Sequence, residues 1–135
     1  MVDTLRDNLR NSSAFSINFS SSDLKYYVNE EKTRSFCGFE VTLHGTVESV
    51  QKLVEKVDLA LLDFKCDTYY PNPSYHISIA WCVGDISKDE SKDTTLAYMK
   101  QLWKVIEDHN PHLFSFVVKN IVLKSGNKQF MFFLL

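Results

Sequence analysis

The sequence predicts an α+β fold, mostly antiparallel sheet with helices packed on one side. Three observations lead there. Short segments alternate apolar and polar residues with period two, as at Phe15-Ser16-Ile17 and His76-Ile77-Ser78-Ile79. Two longer segments, 46–64 and 93–108, instead repeat apolar residues at helical spacing. No stretch is rich enough in Gly, Pro or Ser to divide the 135 residues, so a single domain is expected.

The elements follow in order. Val2, Leu5 and Leu9 have the spacing of a short amphipathic helix over residues 1–11. Ser12-Ser13 breaks it, and Phe15, Ile17 and Phe19 then alternate as a strand does. Leu24, Tyr26 and Val28 form the next strand, followed by the polar connection Asn29 to Arg34. In the strand Ser35 to Leu43, Phe39, Val41 and Leu43 share one face. The helix over 46–64 carries Val50, Leu53, Val54, Val57 and Leu61 on its inner face, with Thr46 as its cap. Pro71 and Pro73 make 65–74 a loop.

The strand Tyr75 to Trp81 is apolar enough to be central, with Tyr75, Ile77, Ile79 and Trp81 on the core face. The helix over 93–108 turns Leu96, Met99, Leu102, Trp103 and Ile106 inward and stops at Asn110-Pro111. Strands at 114–123 and 129–135 flank the turn Lys124-Ser125-Gly126-Asn127-Lys128, where Gly and Asn tolerate positive φ. The last of them, Phe130 to Leu135, is expected to be a buried terminal strand.

Composition excludes several classes. Hydrophobic residues make up 44% and aromatic residues 13%, which sets aside a disordered chain. A net charge of −2 gives no bulk attraction to nucleic acid, so any RNA contact must be local. Cys37, Cys66 and Cys82 have no Cys-x-x-Cys spacing and leave one over, as expected of reduced thiols in an intracellular protein. No metal-ligand cluster is legible, and no cofactor motif. Residues 1–11 are charged and lack an apolar segment, unlike a signal peptide, and no apolar run is long enough to span a bilayer.

The strand around His76 carries the most chemical information. Alternation sends His76, Ser78 and Ala80 to the face opposite the core. An imidazole that moves a proton, beside a hydroxyl that holds a non-bridging oxygen, is a sensible half-site for cleaving a phosphodiester. His-x-Ser on a strand is also common, and by periodicity alone a hydrogen-bonded structural histidine is the more frequent case.

The run Tyr70-Pro71-Asn72-Pro73-Ser74-Tyr75-His76-Ile77-Ser78-Ile79-Ala80-Trp81-Cys82-Val83-Gly84-Asp85 closely resembles the second His-x-Ser signature of the U6 small nuclear RNA 3′-end phosphodiesterases, a family of 2H phosphoesterases. Asn29-Glu30-Glu31-Lys32-Thr33-Arg34 and Lys124-Ser125-Gly126-Asn127-Lys128 resemble two further stretches of that family, in the same order. His-x-Ser alone is weak; the three together are strong.

The resemblance implies antiparallel sheets with outer helices and a site shared by two histidines. One deprotonates the ribose 2′-hydroxyl and the other protonates the departing 5′-oxygen, without metal or cofactor. It implies His76 as a catalytic acid or base, Ser78 as a phosphate ligand, and Tyr70, Asn72, Ser74, Tyr75 and Ile77 as nucleotide contacts, with Tyr70 stacking on a base. Tyr70 as a loop aromatic covering the edge of the core is nearly as common on composition alone. The implied partner is an RNA 3′ end, that of U6 small nuclear RNA with an oligouridine or oligoadenosine tail, met by a monomer in the nucleus and away from membranes.

The family carries its first His-x-Ser motif well before the Asn-Glu-Glu-Lys-Thr-Arg stretch, a position that would precede Met1. The expectation is therefore a truncated domain, incomplete on its N-terminal side, nearly inactive and only marginally folded alone. His44-Gly45-Thr46 has the form His-x-Thr but falls at a strand-to-helix turn, which makes His44 an exposed turn residue. His109 and His112 flank Pro111 at a helix end, where a charge-and-cap role suits them. Two other functions stay open. One is a catalytically silent module that holds an RNA 3′ end. The other is a 2H enzyme acting on small nucleotides, against which the Trp81 to Asp85 extension and the Lys-Ser-Gly-Asn-Lys turn speak.

Overall fold

The computed structural model describes residues 1–135. Three helices and seven strands alternate along the chain: α1 (Val2–Leu9), β1 (Phe15–Asn18), β2 (Leu24–Val28), β3 (Arg34–Glu40), α2 (His44–Asp63), β4 (His76–Val83), α3 (Lys92–His109), β5 (Ser115–Val118), β6 (Asn120–Ser125) and β7 (Lys128–Phe133). This is the α+β class the periodicities predict. No helix is long and apolar enough to cross a membrane. The chain packs into two compact units, one of Met1–Ile17, His44–Pro73 and Val117–Leu135, the other of Asn18–Leu43 and Ser74–Phe116. β1 and β5 form a two-stranded ladder of their own.

In the first unit, Leu5 and Leu9 of α1, Ala60 of α2 and Phe132 of β7 form a buried cluster. Val2, Leu53, Val57, Ile121, Leu123 and Phe130 pack around it. The three-and-four spacing in α1 supplies this stripe. Each leucine fully removed from water contributes about 1.5–3 kcal/mol. Helix α2 begins at His44, two residues ahead of the expected start, and Thr46 is no cap: its hydroxyl donates to the Ser16 carbonyl at 3.2 Å. β6 and β7 pair antiparallel from Asn120↔Phe133 to Ser125↔Lys128. Gly126 alone supplies the positive φ, +59°, at the first central position of the two-residue turn. β7 is buried on one face only: Phe132 is in the core while Met131 and Phe133 face water. The expected buried terminal strand is thus half exposed, as a strand with one covered face must be.

In the second unit β2, β3 and β4 form an antiparallel sheet in that order. Leu24, Cys37, Phe39 and Phe114 are its buried cluster, with Phe19, Tyr26, Leu96, Met99 and Trp103 packed against it. Phe39 meets Trp103 and Phe114 edge to face at ring-centroid distances of 5.1 and 5.8 Å, the geometry aromatic quadrupoles favour. Of the α3 residues expected inside, Leu96, Met99 and Trp103 are in this cluster, whereas Leu102 and Ile106 are exposed. One three-stranded sheet offers a helix a narrow strip to cover, so the flanks of its apolar stripe stay wet.

The connection between β2 and β3 shows why the polar run Asn29 to Arg34 makes a defined turn. The Asn29 side-chain oxygen accepts from the backbone N–H groups of Thr33 and Arg34 at 2.9 and 2.8 Å, while its own N–H donates to the Arg34 carbonyl at 3.0 Å. Beyond the far end of β4, the Ser35 hydroxyl donates to the Gly84 carbonyl at 2.7 Å and accepts from the Ile86 N–H at 2.8 Å. Ser35 is 2% exposed, so both of its hydrogen bonds are needed to offset its burial.

Candidate active site

β4 is the edge of its sheet, not a central strand. It pairs with β3 and with nothing on its other side. The register runs Glu40↔His76, Phe39↔Ile77 and Gly38↔Ser78, then shifts: Cys37 faces Ala80, Phe36 faces Trp81 and Arg34 faces Val83. Ile79 is the extra residue of a β-bulge, and it reverses the facing of everything after it. The core face of the sheet, set by Cys37 and Phe39, is therefore continued by Ile77 and then by Ala80 and Cys82. The other face carries His76 and Ser78 and then Trp81 and Val83. The expected core face holding Ile79 and Trp81 is corrected by this bulge: Trp81 is 64% exposed and Ile79 37%.

On the open face, His76 and Ser78 stand two residues apart, about 7 Å along the strand, and both are exposed. His76 Nδ1 lies 2.8 Å from the Ser74 carbonyl. A carbonyl only accepts, so Nδ1 carries the hydrogen, and in the neutral ring Nε2 presents its lone pair. The imidazole lies flat on the Tyr27 ring, centroids 3.9 Å apart and planes 14° from parallel. Tyr27 comes from β2 opposite Phe36, so the path from its strand to His76 crosses β3 at Gly38, which has no side chain to intervene. The Tyr27 hydroxyl is buried without a well-aligned hydrogen-bond partner. Burial pushes its pKa up, opposed by the nearby Ser74.

Glu40 stands directly across from His76 and accepts a charged hydrogen bond from Lys25 of β2. It also accepts from the Ser74 hydroxyl at 3.3 Å. Lys25, then the other polar neighbours and the nearby His76, hold its pKa below the ordinary value of 4.5, against an opposing contribution from partial burial. Ser74 thus joins both groups, its carbonyl on His76 and its hydroxyl on Glu40. Tyr75, half buried, accepts the Val41 N–H at 2.8 Å through its carbonyl, which anchors the chain entering β4. Ile77 is half buried on the core side.

Of the residues singled out in the sequence, the structure brings together His76, Ser78, Ser74, Tyr75 and Ile77 in one unit. Tyr70 and Asn72 belong to the other unit, both exposed in the loop before β4, with Tyr70 packed edge to face on Tyr69 at 5.2 Å. Tyr27, Gly38, Glu40 and Lys25 were not found by sequence reasoning, because their places beside His76 follow from cross-strand register. The remaining histidines lie outside this sheet. His44 opens α2 and sits 3.0 Å from Glu48; it is an exposed helical residue, not one in a turn. His109 Nδ1 lies 2.8 Å from the Val105 carbonyl in the last turn of α3, and His112 lies in the 3-10 turn that follows.

Comparison with known proteins bears on this geometry. The chain is 36% identical over 129 residues to mouse (Mus musculus) U6 snRNA phosphodiesterase 1, covering 96% of this chain and 46% of that protein. It is 37% identical over 112 residues to the human (Homo sapiens) protein of the same name, covering 83% and 41%. The chain therefore spans less than half the length of these curated relatives. Among solved structures it is similar to Kluyveromyces marxianus Usb1, with a TM-score of 0.55 and 16% identity over 96% of this chain and 65% of that one. A second structure of that protein, with uridine monophosphate, matches with a TM-score of 0.55 and 17% identity over 98% and 65%. At such identity these two establish likeness of fold alone. The HVSL family model, described as an uncharacterised conserved protein, matches residues 1–132, and the chain belongs to that family.

Proposed function

We propose that this chain supplies one proton-transfer group and one phosphate ligand to an RNA 3′-end phosphodiesterase site, the substrate being U6 small nuclear RNA with its oligouridine or oligoadenosine tail, in the nucleus. The names of the curated relatives support the substrate class. The observation that carries the chemistry is the pairing of His76 and Ser78 on one exposed strand face, with Nδ1 of His76 occupied and Nε2 open.

In this reading the ribose 2′-oxygen attacks phosphorus, its proton is taken by a neutral imidazole, and the 5′-oxygen leaves with a proton from a second group. The product end is a cyclic phosphate. His76 Nε2 serves one of these two transfers. The Ser78 hydroxyl, used by no hydrogen bond within the protein, donates to a non-bridging oxygen. Ser74 and Tyr75 fix the approach to the strand and the Ile77 backbone lines the nucleotide, while the family resemblance implies Tyr70 as the base-stacking residue and Asn72 as a nucleotide contact. The domain in this reading is one half of a two-histidine site, since His44, His109 and His112 lie on or next to helices and none is on the sheet that carries His76. That same fact favours a second reading, in which the 135 residues hold an RNA 3′ end without cutting it.

The test is a trimming and binding assay with end-labelled oligouridylate and the purified chain. General acid–base catalysis contributes about 10²–10⁴-fold, so one histidine acting alone gives slow trimming at most. Binding that Ser78→Ala weakens, with residual trimming lost in His76→Ala, supports the first reading. Binding with no trimming supports the second. If the chain neither binds nor shortens the RNA, both are wrong.

A further inference from the structure

We propose that Trp81 and Arg34 form a second base-stacking platform on the face that carries His76 and Ser78, so that the sheet takes two consecutive nucleotides of a single strand. This rests on the phosphate-site reading above and adds a subsite to it.

The bulge at Ile79 is the first observation. Strict alternation from Ser78 would send Trp81 to the opposite, core-side face. The inserted residue instead turns Trp81 to the Ser78 side, where it pairs with Phe36 while Ser78 pairs with Gly38. Phe36 and Gly38 are two residues apart on β3, so the indole stands about 7 Å further along the sheet than the Ser78 position. One sugar–phosphate unit can span such a step. The indole is also 64% exposed, unusual for a residue type that is highly buried on average.

Arg34 is the second observation. It lies on the same face of β3, by its spacing from Phe36 and Gly38, and its guanidinium carbon sits 5.5 Å from the Trp81 ring centroid. It forms no ion pair with any carboxylate. A planar cation beside an open aromatic face presents the two features single-stranded nucleic acid uses: a surface for a base and a charge for the adjoining phosphate. An apolar protein partner fits less well, since covering the indole would also strip water from an unpaired guanidinium. The turn built on Asn29 keeps Arg34 in place, because its backbone N–H is held by the Asn29 side chain at 2.8 Å. Val83, also on this face, extends the platform's apolar edge.

The experiment compares uridine monophosphate and diuridylate binding to the full 135-residue chain and to Trp81→Ala, Trp81→Phe and Ser78→Ala, with circular dichroism as the check on folding. Removing one base–aromatic stack weakens binding by roughly 5- to 100-fold. The platform predicts that loss for diuridylate in Trp81→Ala, a change below about two-fold for the mononucleotide, and recovery of most of the affinity in Trp81→Phe. If Ser78→Ala weakens both ligands while Trp81→Ala leaves their ratio unchanged, the platform is overturned and the phosphate site stands. A Trp81→Ala loss equal for both ligands overturns it as well, by placing Trp81 in the first subsite. If the wild-type chain binds neither ligand, the phosphate-site reading fails and the platform falls with it.

Discussion

The imidazole of His76 and the phenol ring of Tyr27 stack 3.9 Å apart across an intervening strand, 14° from parallel. Together with the bond from Nδ1 to the Ser74 carbonyl, this stack fixes the ring in two dimensions and leaves one nitrogen facing outward. A proton-transfer group gains from such restraint, since misplacement by an ångström costs rate steeply.

Tyr27→Leu should therefore lower turnover of a phosphodiester substrate by about 2- to 13-fold, the equivalent of the ~0.5–1.5 kcal/mol an aromatic pair contributes. Tyr27→Phe should retain nearly all activity, because the hydroxyl has no well-aligned partner to lose. The comparison of turnover for the two variants, with binding measured separately, decides the matter. Equal losses in both would show that the hydroxyl, not the ring, is what counts.

Gly38 is the position where the sheet tolerates no side chain. A Cβ there would sit 2.7 Å from the Ile77 carbonyl oxygen and 3.1 Å from the Ser78 Cα, both backbone atoms of β4. Gly38→Ala should destabilise the chain by about 1–3 kcal/mol, as overpacking does, and displace the Ser78 position. Thermal or urea unfolding gives the first number and oligouridylate affinity the second. A variant as stable as wild type would show that the β4 edge yields freely.

The Lys25–Glu40 pair sets a pH dependence with a definite sign. The Glu40 pKa is lowered in the folded chain, first by Lys25, so its contribution is present above the ordinary carboxylate value of 4.5 and is lost as pH falls through the lower folded value. Lys25 is raised, first by its hydrogen bond to Glu40, and its contribution is lost only as pH climbs through a folded value above 10.5. The lysine is half exposed, so the pair contributes only about 0.2–1 kcal/mol. Glu40→Gln should be less stable than wild type by that amount at pH 6–7, and the gap should close in acid, as pH falls from 4.5 through the lower folded value. Denaturant titrations of both proteins across this range measure it; a gap that widens in acid contradicts the pairing.

The three thiols should separate into two classes. Cys66 and Cys82 are exposed, whereas Cys37 is buried in the sheet core and burial raises its pKa. A thiol-specific reagent under native conditions should label the first two quickly and Cys37 only as the chain unfolds. Denaturant should then release the third equivalent along the unfolding curve. Three fast equivalents in buffer would mean that the β2–β3–β4 core opens readily.

Much of this molecule is legible in its residues. Periodicity finds the short α1, the long α2 and α3 and the sheet strands, because burial of one face imposes a repeat on near neighbours in the chain. The local run from His76 to Ser78 suffices to place those two side chains on one face, since no irregularity lies between them. What periodicity could not give depends on partners far along the chain. The bulge at Ile79 arises in pairing with Cys37 and Gly38, some forty residues earlier, and it alone turns Trp81 outward. The same distant register seats Tyr27 on His76, sets Glu40 opposite it and demands a glycine at 38. Sequence specifies which residues alternate; only the folded pairing decides where that alternation skips a beat and which side chains meet across the sheet.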